Sequence, residues 1–400
     1  MDIPIEIQIY IFQFLSIFDL CECEKVSKYW NTILLSSNAS KLYSSINVQK
    51  REGLLCFNWL MKKLYNHQPK TLNVSGCRFE SQDLSTLLSL TSFNLINLDI
   101  SFHNLTQKFF SDLSLYSLQS LVINDAKLKD SNLELILQLP SLQYLNMNYN
   151  SALFGKPLAY TETALKALWF EGCERIEHGN ILSYLQRNGV SLIELGIDGE
   201  YFSSSEVCLL LQFAPNLLKF AIEFANEMDS QLIDNLLKPD WQHLKIRRAL
   251  MIPQLSFIKI FELDLNQLLY LNLAECNYID DFICSLIAEN CSQITSFVLT
   301  WCSDVSDIGI SQIVLKCRKL EILDLTGLKE ITDRSFPLEG MEIYCNLNTI
   351  ILEKCNKISD EHLWRLSELY PEMRIKNYYG EFKEGWTGIS LSKTKDKKNK

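Results

Sequence analysis

The sequence predicts an α/β solenoid: a stack of repeats that each supply one short parallel strand and one helix, preceded by a short helical domain. The first observation is a pattern, apolar-x-x-apolar-x-apolar-x-x-Cys or small, that recurs along most of the 400 residues. The second is that apolar residues at helical spacing follow the clearest copies. The third is an N-terminal segment with helical spacing that lacks the repeat.

The clearest copies of the repeat begin at Leu268, Ile294 and Leu347. The same register extends backwards to starts at Pro69, Leu95, Leu118, Leu142, Leu165, Leu192, Leu217, Trp241, Leu268, Ile294, Leu320 and Leu347, which lie 23 to 27 residues apart. That spacing is typical of strand-and-helix repeats. Atypical copies at Tyr43 and Met373 are expected to cap the stack. Between residues 142 and 267 the pattern is most degenerate, and the repeat boundaries there stay open.

Each repeat has one face for the core and one for solvent. In the copy at Leu268, Leu271 and Leu273 point to one side of a strand, whereas Asn272 and Ala274 point to the other. Helical segments follow, with capping residues expected at Asp280, Ser306, Thr332 and Ser359. The repeats therefore predict a horseshoe with parallel strands on its concave face and helices on its convex face.

The chain has 13 cysteines, and many of them follow the repeat. Cys77, Cys173, Cys276, Cys302 and Cys355 lie in the turn after the predicted strand, where Asn150 takes the same place. A small buried polar side chain can satisfy backbone groups there. We interpret these thiols as reduced and structural, and expect no metal and no cofactor.

The N-terminal residues predict three short helices. Pro4 suits a first helical turn, Asp19 can cap a second helix with Glu22, and Val26 and Trp30 share one face of a third. The first helix is apolar nearly all round, so it needs cover on two sides. About forty residues rarely hold a core alone.

In order and spacing, this segment resembles an F-box, and the repeats resemble the cysteine-containing leucine-rich repeats of F-box proteins. The resemblance implies a substrate-recognition subunit of a Skp-cullin-F-box type ubiquitin ligase. The F-box would bind a Skp-type adaptor, and through it a cullin, while the repeats hold a protein substrate. The adaptor-binding residues are expected among Pro4, Ile7, Ile11, Leu15, Leu20, Val26 and Trp30.

The domain organisation that follows is an F-box over 1–42, a linker and N-terminal capping repeat over 43–68, and repeats with a C-terminal cap over 69–379. A Lys-rich tail over 380–400 is expected to be disordered. The alternative is that the N-terminal helices only cap the open edge of the stack. The chain would then be a ligase-independent interaction scaffold.

Composition and the absence of known motifs argue against several other classes of function. A net charge of -10 argues against nucleic acid as a partner. The N-terminus carries Asp2 and Glu6 and lacks the basic start of a signal peptide, and no apolar run is long enough to span a membrane. We expect a cytoplasmic or nuclear protein. The five histidines are scattered and no catalytic motif is present, so the chain is predicted not to be an enzyme.

Positions two, four and six residues after each start should point outwards and could bind the substrate. The residues so assigned are Tyr144, Trp169, Glu171, Glu194, Asp198, Lys219, Glu223, His243, Lys245 and Arg247. Trp169 is the strongest candidate, because an outward Trp is unfavourable unless covered and Trp is enriched at binding hot spots. The plainer interpretation is a polar, solvated strand face. Otherwise recognition would lie on the rim, around Phe102, Tyr149 and Trp301, or on the C-terminal segment.

Overall fold

The computed structural model describes residues 3–48, 57–91, 95–113, 116–338 and 344–383. The helices are α1 (Ile5–Phe12), α2 (Ile17–Val26), α3 (Lys28–Leu35), α4 (Phe57–His67), α5 (Ser81–Leu90), α6 (Gln107–Leu113), α7 (Asp130–Ile136), α8 (His178–Asn188), α9 (Ser204–Phe213), α10 (Ser230–Asp234), α11 (Gln254–Phe261), α12 (Asp281–Asn290), α13 (Asp307–Lys316) and α14 (Asp360–Leu369). Short 3₁₀ turns occur at Ser37–Tyr43, Lys156–Ala159, Gly189–Ser191, Gly199–Tyr201 and Asp333–Ser335. Of the tail over 380–400 that we predict to be disordered, residues 384–400 lie outside the described residues. Its predicted beginning is wrong, because Phe382–Lys383 form a short strand.

The strands are short and regularly spaced. They are β1 (Ser45–Asn47), β2 (Thr71–Asn73), β3 (Asn97–Asp99), β4 (Ser120–Val122), β5 (Tyr144–Asn146), β6 (Ala167–Trp169), β7 (Glu194–Asp198), β8 (Lys219–Glu223), β9 (His243–Ile246), β10 (Tyr270–Asn272), β11 (Ser296–Val298), β12 (Ile322–Asp324), β13 (Thr349–Ile351), β14 (Arg374–Lys376) and β15 (Phe382–Lys383). Each strand from β2 to β13 begins two residues after a predicted start. The repeat register therefore holds through the degenerate section as well.

The chain forms two compact units, Met1–Ile197 with Phe213–Asn216, and Asp198–Gln212 with Leu217–Lys400. In the first unit, strands β1 to β7 pair in sequence order and every pair is parallel. In the second, β8 to β14 do the same and β15 is antiparallel to β14. Helices α4 to α7, and α10 to α13, likewise pack on their sequence neighbours. The predicted α/β fold, a helical N-terminus followed by a leucine-rich-repeat-like solenoid, is confirmed.

Two local predictions are wrong by a small margin. The N-cap of α2 is Ser16, and Asp19 lies three residues further on. The Ser16 side chain accepts from the backbone N–H of Asp19, and the Asp19 side chain accepts from the backbone N–H of Ser16. At the C-terminal end, β14 begins one residue earlier than a start at Met373 predicts. There Ile375 pairs with Ile350, and both side chains are buried. The shift follows from that pairing in the core.

Most strands are followed by a sharp turn through the left-handed region of backbone conformation. Seven residues after the start, φ is positive at Phe102, Asp125, Tyr149, Phe224, Arg248, Glu275, Trp301 and Lys354, and at Gly76, Gly172 and Gly327. Among the starts from Pro69 to Leu347, the repeat at Leu192 is the exception. This conformation is uncommon for a residue with a side chain. The repeated turn places the side chains at this position in a row beside the strand ends.

The cysteines of the repeat have the structural role expected of them. Eight residues after the start, the thiols of Cys276, Cys302 and Cys355 are buried and donate to the carbonyls of Ile246 (3.2 Å), Leu273 (3.1 Å) and Leu325 (3.1 Å) of the preceding repeats. Burial raises the pKa of the Cys302 thiol to about 12. A protonated thiol is a poor nucleophile and a poor metal ligand. Every cysteine in the described part of the chain is a free thiol.

We expect Cys302→Leu to lower the free energy of unfolding by about 1–3 kcal/mol, because the larger side chain overpacks the turn and removes a donor. Denaturant unfolding measures the change. The same substitution at Cys345, which is exposed, is the matched control and should leave stability nearly unchanged. Equal effects at the two positions would mean that the turn is not tightly packed.

Candidate functional site

The N-terminal helices present an exposed apolar surface. Helix α1 has Ile7 and Ile11 at exposed fractions of 50 and 49%, and Ile3 and Phe14, which flank the helix, are 52 and 75% exposed. So many exposed apolar side chains on and beside one short helix are typical of an interaction surface. Its opposite side is covered: Phe12 is buried and meets the ring of Trp30 edge to face, with centroids 5.5 Å apart.

The residues predicted to contact an adaptor fall into three classes of exposure. Pro4, Ile7, Ile11 and Val26 are exposed, Leu15 and Trp30 are half-buried, and Leu20 is buried. Leu20 therefore serves to hold the helices together. Sequence reasoning missed the exposed rings of Tyr10, Phe14 and Tyr29. The apolar residues all round α1 and just after it were the signal that could have revealed Tyr10 and Phe14.

A buried polar cluster joins these helices to the first helix of the repeats. Lys63 of α4 is fully buried and forms an ion pair with Glu24 of α2. Its ammonium group also donates to the carbonyl of Leu34 (3.2 Å) and lies 4.3 Å from the centroid of the Tyr43 ring. Trp59 Nε1 and Tyr43 Oη donate to the Glu24 carboxylate at 3.1 and 3.2 Å. We call Glu24, Lys63, Tyr43, Trp59 and His67 the junction cluster.

His67 completes the junction cluster. Its ring stacks on Tyr43 with centroids 4.3 Å apart, and its Nε2 lies 3.0 Å from the Leu34 carbonyl oxygen. Burial and the neighbouring Lys63 lower the pKa of His67 to about 4, so the ring is neutral at physiological pH. Burial also lowers the pKa of Lys63, although the Glu24 carboxylate opposes that shift. The cluster fixes α2 and α3 against α4.

In the first unit, the predicted substrate residues differ in how they are packed. Tyr144 is exposed and Glu194 is half-buried. Trp169 is half-buried, and its ring lies flat on Gly196 of the neighbouring strand, where an added Cβ would clash with the ring. Glu171 is buried, and its backbone N–H donates to Asn148 Oδ1 at 2.8 Å. The expectation that Glu171 points into solvent is wrong, because it packs against the polar side chain of the preceding repeat.

In the second unit, two of the predicted acidic residues are also buried. Asp198 is buried, and its carboxylate accepts from the N–H of Glu200 at 3.0 Å. Glu223 is buried and binds Lys245 at 2.5 Å and Arg247 at 3.3 Å. The expected outward exposure is therefore wrong for both residues. Asp198 is held by the backbone of the following turn, and Glu223 is held by the cations of the next repeat.

The basic residues of the second unit lie further out. The side chains of Lys245 and Arg247 are 17 and 36% exposed, against 9% for Glu223. Lys219 and His243 are half-buried, and the His243 ring stacks on Tyr270 with centroids 4.1 Å apart. Burial, together with the nearby Lys219 and Lys245, lowers the pKa of His243 to about 4. This cluster presents positive charge outwards.

The row of left-handed residues carries exposed aromatic side chains. Phe102 and Tyr149 are 60 and 55% exposed in the first unit, and Trp301 is 40% exposed in the second. The Trp301 ring covers Gly327, and the Lys354 ammonium lies 5.3 Å from its centroid. These are the rim positions that the sequence offers as the alternative place for recognition.

Within the described residues, no group of three or more His, Cys, Asp or Glu side chains could hold a metal ion. Over the same parts of the chain, none of the helices combines the length and the apolar character needed to cross a bilayer.

The N-terminal segment matches a known family, and the chain is similar to solved structures. Residues 1–44 match the F-box-like family. The chain is similar to the crystal structure of the Rad7 and Elc1 complex in yeast, with a TM-score of 0.58 and 17% sequence identity over 92% of this chain and 98% of that chain. It is also similar to an internalin from Listeria monocytogenes, with a TM-score of 0.35 and 15% identity over 75% of this chain and 74% of that chain. The protein thus carries an F-box-like domain at its N-terminus, followed by a repeat solenoid.

Proposed function

We propose that this chain is the substrate-recognition subunit of a Skp-cullin-F-box type ubiquitin ligase. The observation that carries the proposal is the exposed apolar surface of α1 within a segment that matches the F-box-like family. Burying that surface needs a partner, and a Skp-type adaptor bound to a cullin is the partner that an F-box implies. The similar yeast structure is of a complex between Rad7 and Elc1, and by analogy we expect this chain to work bound to a partner.

The mechanism is proximity. The adaptor holds the F-box-like domain, the strand face of the repeats holds a protein substrate, and tethering raises the effective concentration of substrate lysines near the ubiquitin-charged enzyme. The chain itself forms no covalent bond. The predicted substrate residues that remain at least partly exposed are Tyr144, Trp169, Glu194, Lys219, His243, Lys245 and Arg247.

The adaptor surface can be tested with Ile7→Asp and Ile11→Asp combined. Both side chains are about half exposed, so the substitutions cost the fold little but place two charges in an apolar interface. We expect at least a 100-fold loss of adaptor affinity, since buried apolar anchors dominate interface energy. Co-purification of adaptor and cullin with the tagged chain is the measurement.

The matched control is Ile308→Asp, at a side chain of α13 that is 67% exposed. It should keep the adaptor and the cullin. If neither the adaptor nor the cullin co-purified with the wild-type chain, the ligase-independent scaffold would be favoured. If the Ile7 and Ile11 variant still bound the adaptor, the docking surface would lie elsewhere.

A further inference from the structure

We propose that the strand face of the second unit binds an extended acidic segment of the substrate, with apolar residues at its centre and acidic residues on both sides. This inference rests on the proposed function and specifies the substrate class. We define the basic-apolar face as the side chains two, four, six and seven residues after each repeat start on strands β8 to β14, with the start for β14 taken from its pairing as Glu372.

The charge of this face is opposite to that of the whole chain. It carries seven cations, four at β8 and β9 (Lys219, Lys245, Arg247 and Arg248) and three at β13 and β14 (Lys354, Arg374 and Lys376). Against them stand four carboxylates, those of Glu223, Glu275, Asp324 and Glu353. An excess of three positive charges on one face of a chain with net charge -10 is a local field that favours an acidic partner.

Most of the carboxylates are already engaged. Glu223 binds Lys245 and Arg247, Glu275 binds Arg247 and Arg248, and Glu353 pairs with Lys376. At β8 and β9 the cations are more exposed than the Glu223 carboxylate beneath them. The internal carboxylates thus fix the positions of the cations while leaving part of their surface to a ligand.

Between the two basic ends lies an apolar patch. Val298 and Ile351 occupy equivalent outward positions on β11 and β13, separated by Asp324 of β12. Ile322 points outwards on β12 and is 39% exposed. Trp301, with Lys354 beside its ring, borders the same strands. Outward aliphatic side chains on three neighbouring strands would be unfavourable in water unless a ligand covers them.

The geometry sets the spacing of the ligand. Neighbouring strands lie about 4.8 Å apart, so the basic groups on β9 and β14 are separated by about 24 Å. An extended chain covers that distance in about seven residues. A nucleic acid fits the face less well, because the four carboxylates would repel its continuous phosphate charge. The apolar side chains at the centre would also make few favourable contacts with a charged sugar-phosphate backbone.

Selection from a random library of displayed peptides about 16 residues long, carried out on the purified full-length chain, tests this inference. We expect enrichment of peptides with acidic residues at both sides of an apolar centre. Affinities of the selected peptides, measured by fluorescence anisotropy, should fall about tenfold with Arg374→Glu and about tenfold with Ile322→Arg. The effect of Arg374→Glu should shrink at high salt.

Arg365→Glu and Ile308→Arg are the matched controls, because both side chains are exposed on helices. They should leave peptide affinity unchanged. Four results would each overturn the inference: recovery of no peptide, recovery of peptides without acidic enrichment, binding of the peptides by the two face variants as tightly as by the wild type, or tighter binding of single-stranded DNA than of the selected peptides. Adaptor co-purification in parallel keeps the two proposals apart. If the adaptor co-purifies but no acidic peptide binds, the result counts against this face alone. If the wild-type chain binds the peptides but no adaptor co-purifies, the result counts against the proposed function alone.

Discussion

Lys63→Met is expected to lower the free energy of unfolding by about 3–5 kcal/mol, since it leaves the Glu24 carboxylate buried without a counter-charge. The Lys63 side chain is 0% exposed and that of Glu24 is 9% exposed, so water cannot replace the lost partner. Methionine fills a similar volume, which keeps the loss of packing small. Denaturant unfolding monitored by circular dichroism gives the change.

A second substitution should reverse most of this loss. With Glu24→Gln added to Lys63→Met, the neutral amide oxygen can still accept from Trp59 Nε1, and the amide nitrogen that replaces the second oxygen can donate to Tyr43 Oη. We expect the double variant to recover at least half of the lost stability, because no unpaired charge remains. If the double variant were less stable than Lys63→Met, the Glu24 carboxylate would be contributing through contacts other than the ion pair.

The surface pair Lys25 and Glu22 provides the control. Its side chains are 65 and 70% exposed, so Lys25→Met should cost less than about 1 kcal/mol. Ile7 and Ile11 take no part in the junction cluster. Without denaturant, we therefore expect Lys63→Met to bind the adaptor as the wild type does. The same substitution should weaken the packing of the N-terminal helices on the repeats.

Much of the fold was predictable because a strand register is a strong constraint. The inward residues at the start and at three and five residues after it must all reach the core, and a slip of one residue would turn every one of them outwards. This explains why the starts at Leu192 and Leu217 correctly place β7 and β8 although those repeats have lost the Cys or Asn of the pattern. Only the C-terminal cap, where the sequence has fewer such residues, is shifted.

Parts of the site could not be predicted because they depend on partners distant in sequence. The sequence places Glu24 in the F-box and Lys63 in the linker and capping repeat, and nothing local indicates that either side chain is buried. Alternation along its own strand predicts that Glu223 points outwards into solvent. Its burial is caused by Lys245 and Arg247 of the next repeat. Opposite charges at equivalent positions of consecutive repeats were a signal that could have revealed this pair.

The second large effect is expected at Asn150, which stands where most repeats have a small residue or Cys. Its side chain is fully buried, and its Oδ1 accepts from the N–H groups of Ala126 and Leu128, both at 3.0 Å. Its Nδ2 donates to the carbonyls of Ile123 (2.9 Å) and Met147 (2.8 Å). One amide thus satisfies four buried backbone groups of two adjacent repeats.

Asn150→Leu should therefore lower the free energy of unfolding by about 3–5 kcal/mol, because each abandoned backbone group costs about 1–3 kcal/mol when buried and some can find other partners. Asn150→Cys should cost only about 1–2 kcal/mol. In the other repeats a thiol at this place donates to the carbonyl that corresponds to Ile123, as Cys173 does to Met147 at 3.2 Å.

Asn277→Leu is the matched control, since this exposed amide in an equivalent turn makes a single bond, to the Leu250 carbonyl at 3.2 Å. It should cost less than about 1 kcal/mol. Thermal and denaturant unfolding should show that Asn277→Leu is the most stable of the three variants, Asn150→Cys is less stable, and Asn150→Leu is the least stable. An Asn150→Cys variant as unstable as Asn150→Leu would show that the thiol and the amide do not serve the same backbone groups. The repeat would then use two different turns at one position, and the shared strand register would have to be maintained by the inward aliphatic residues alone.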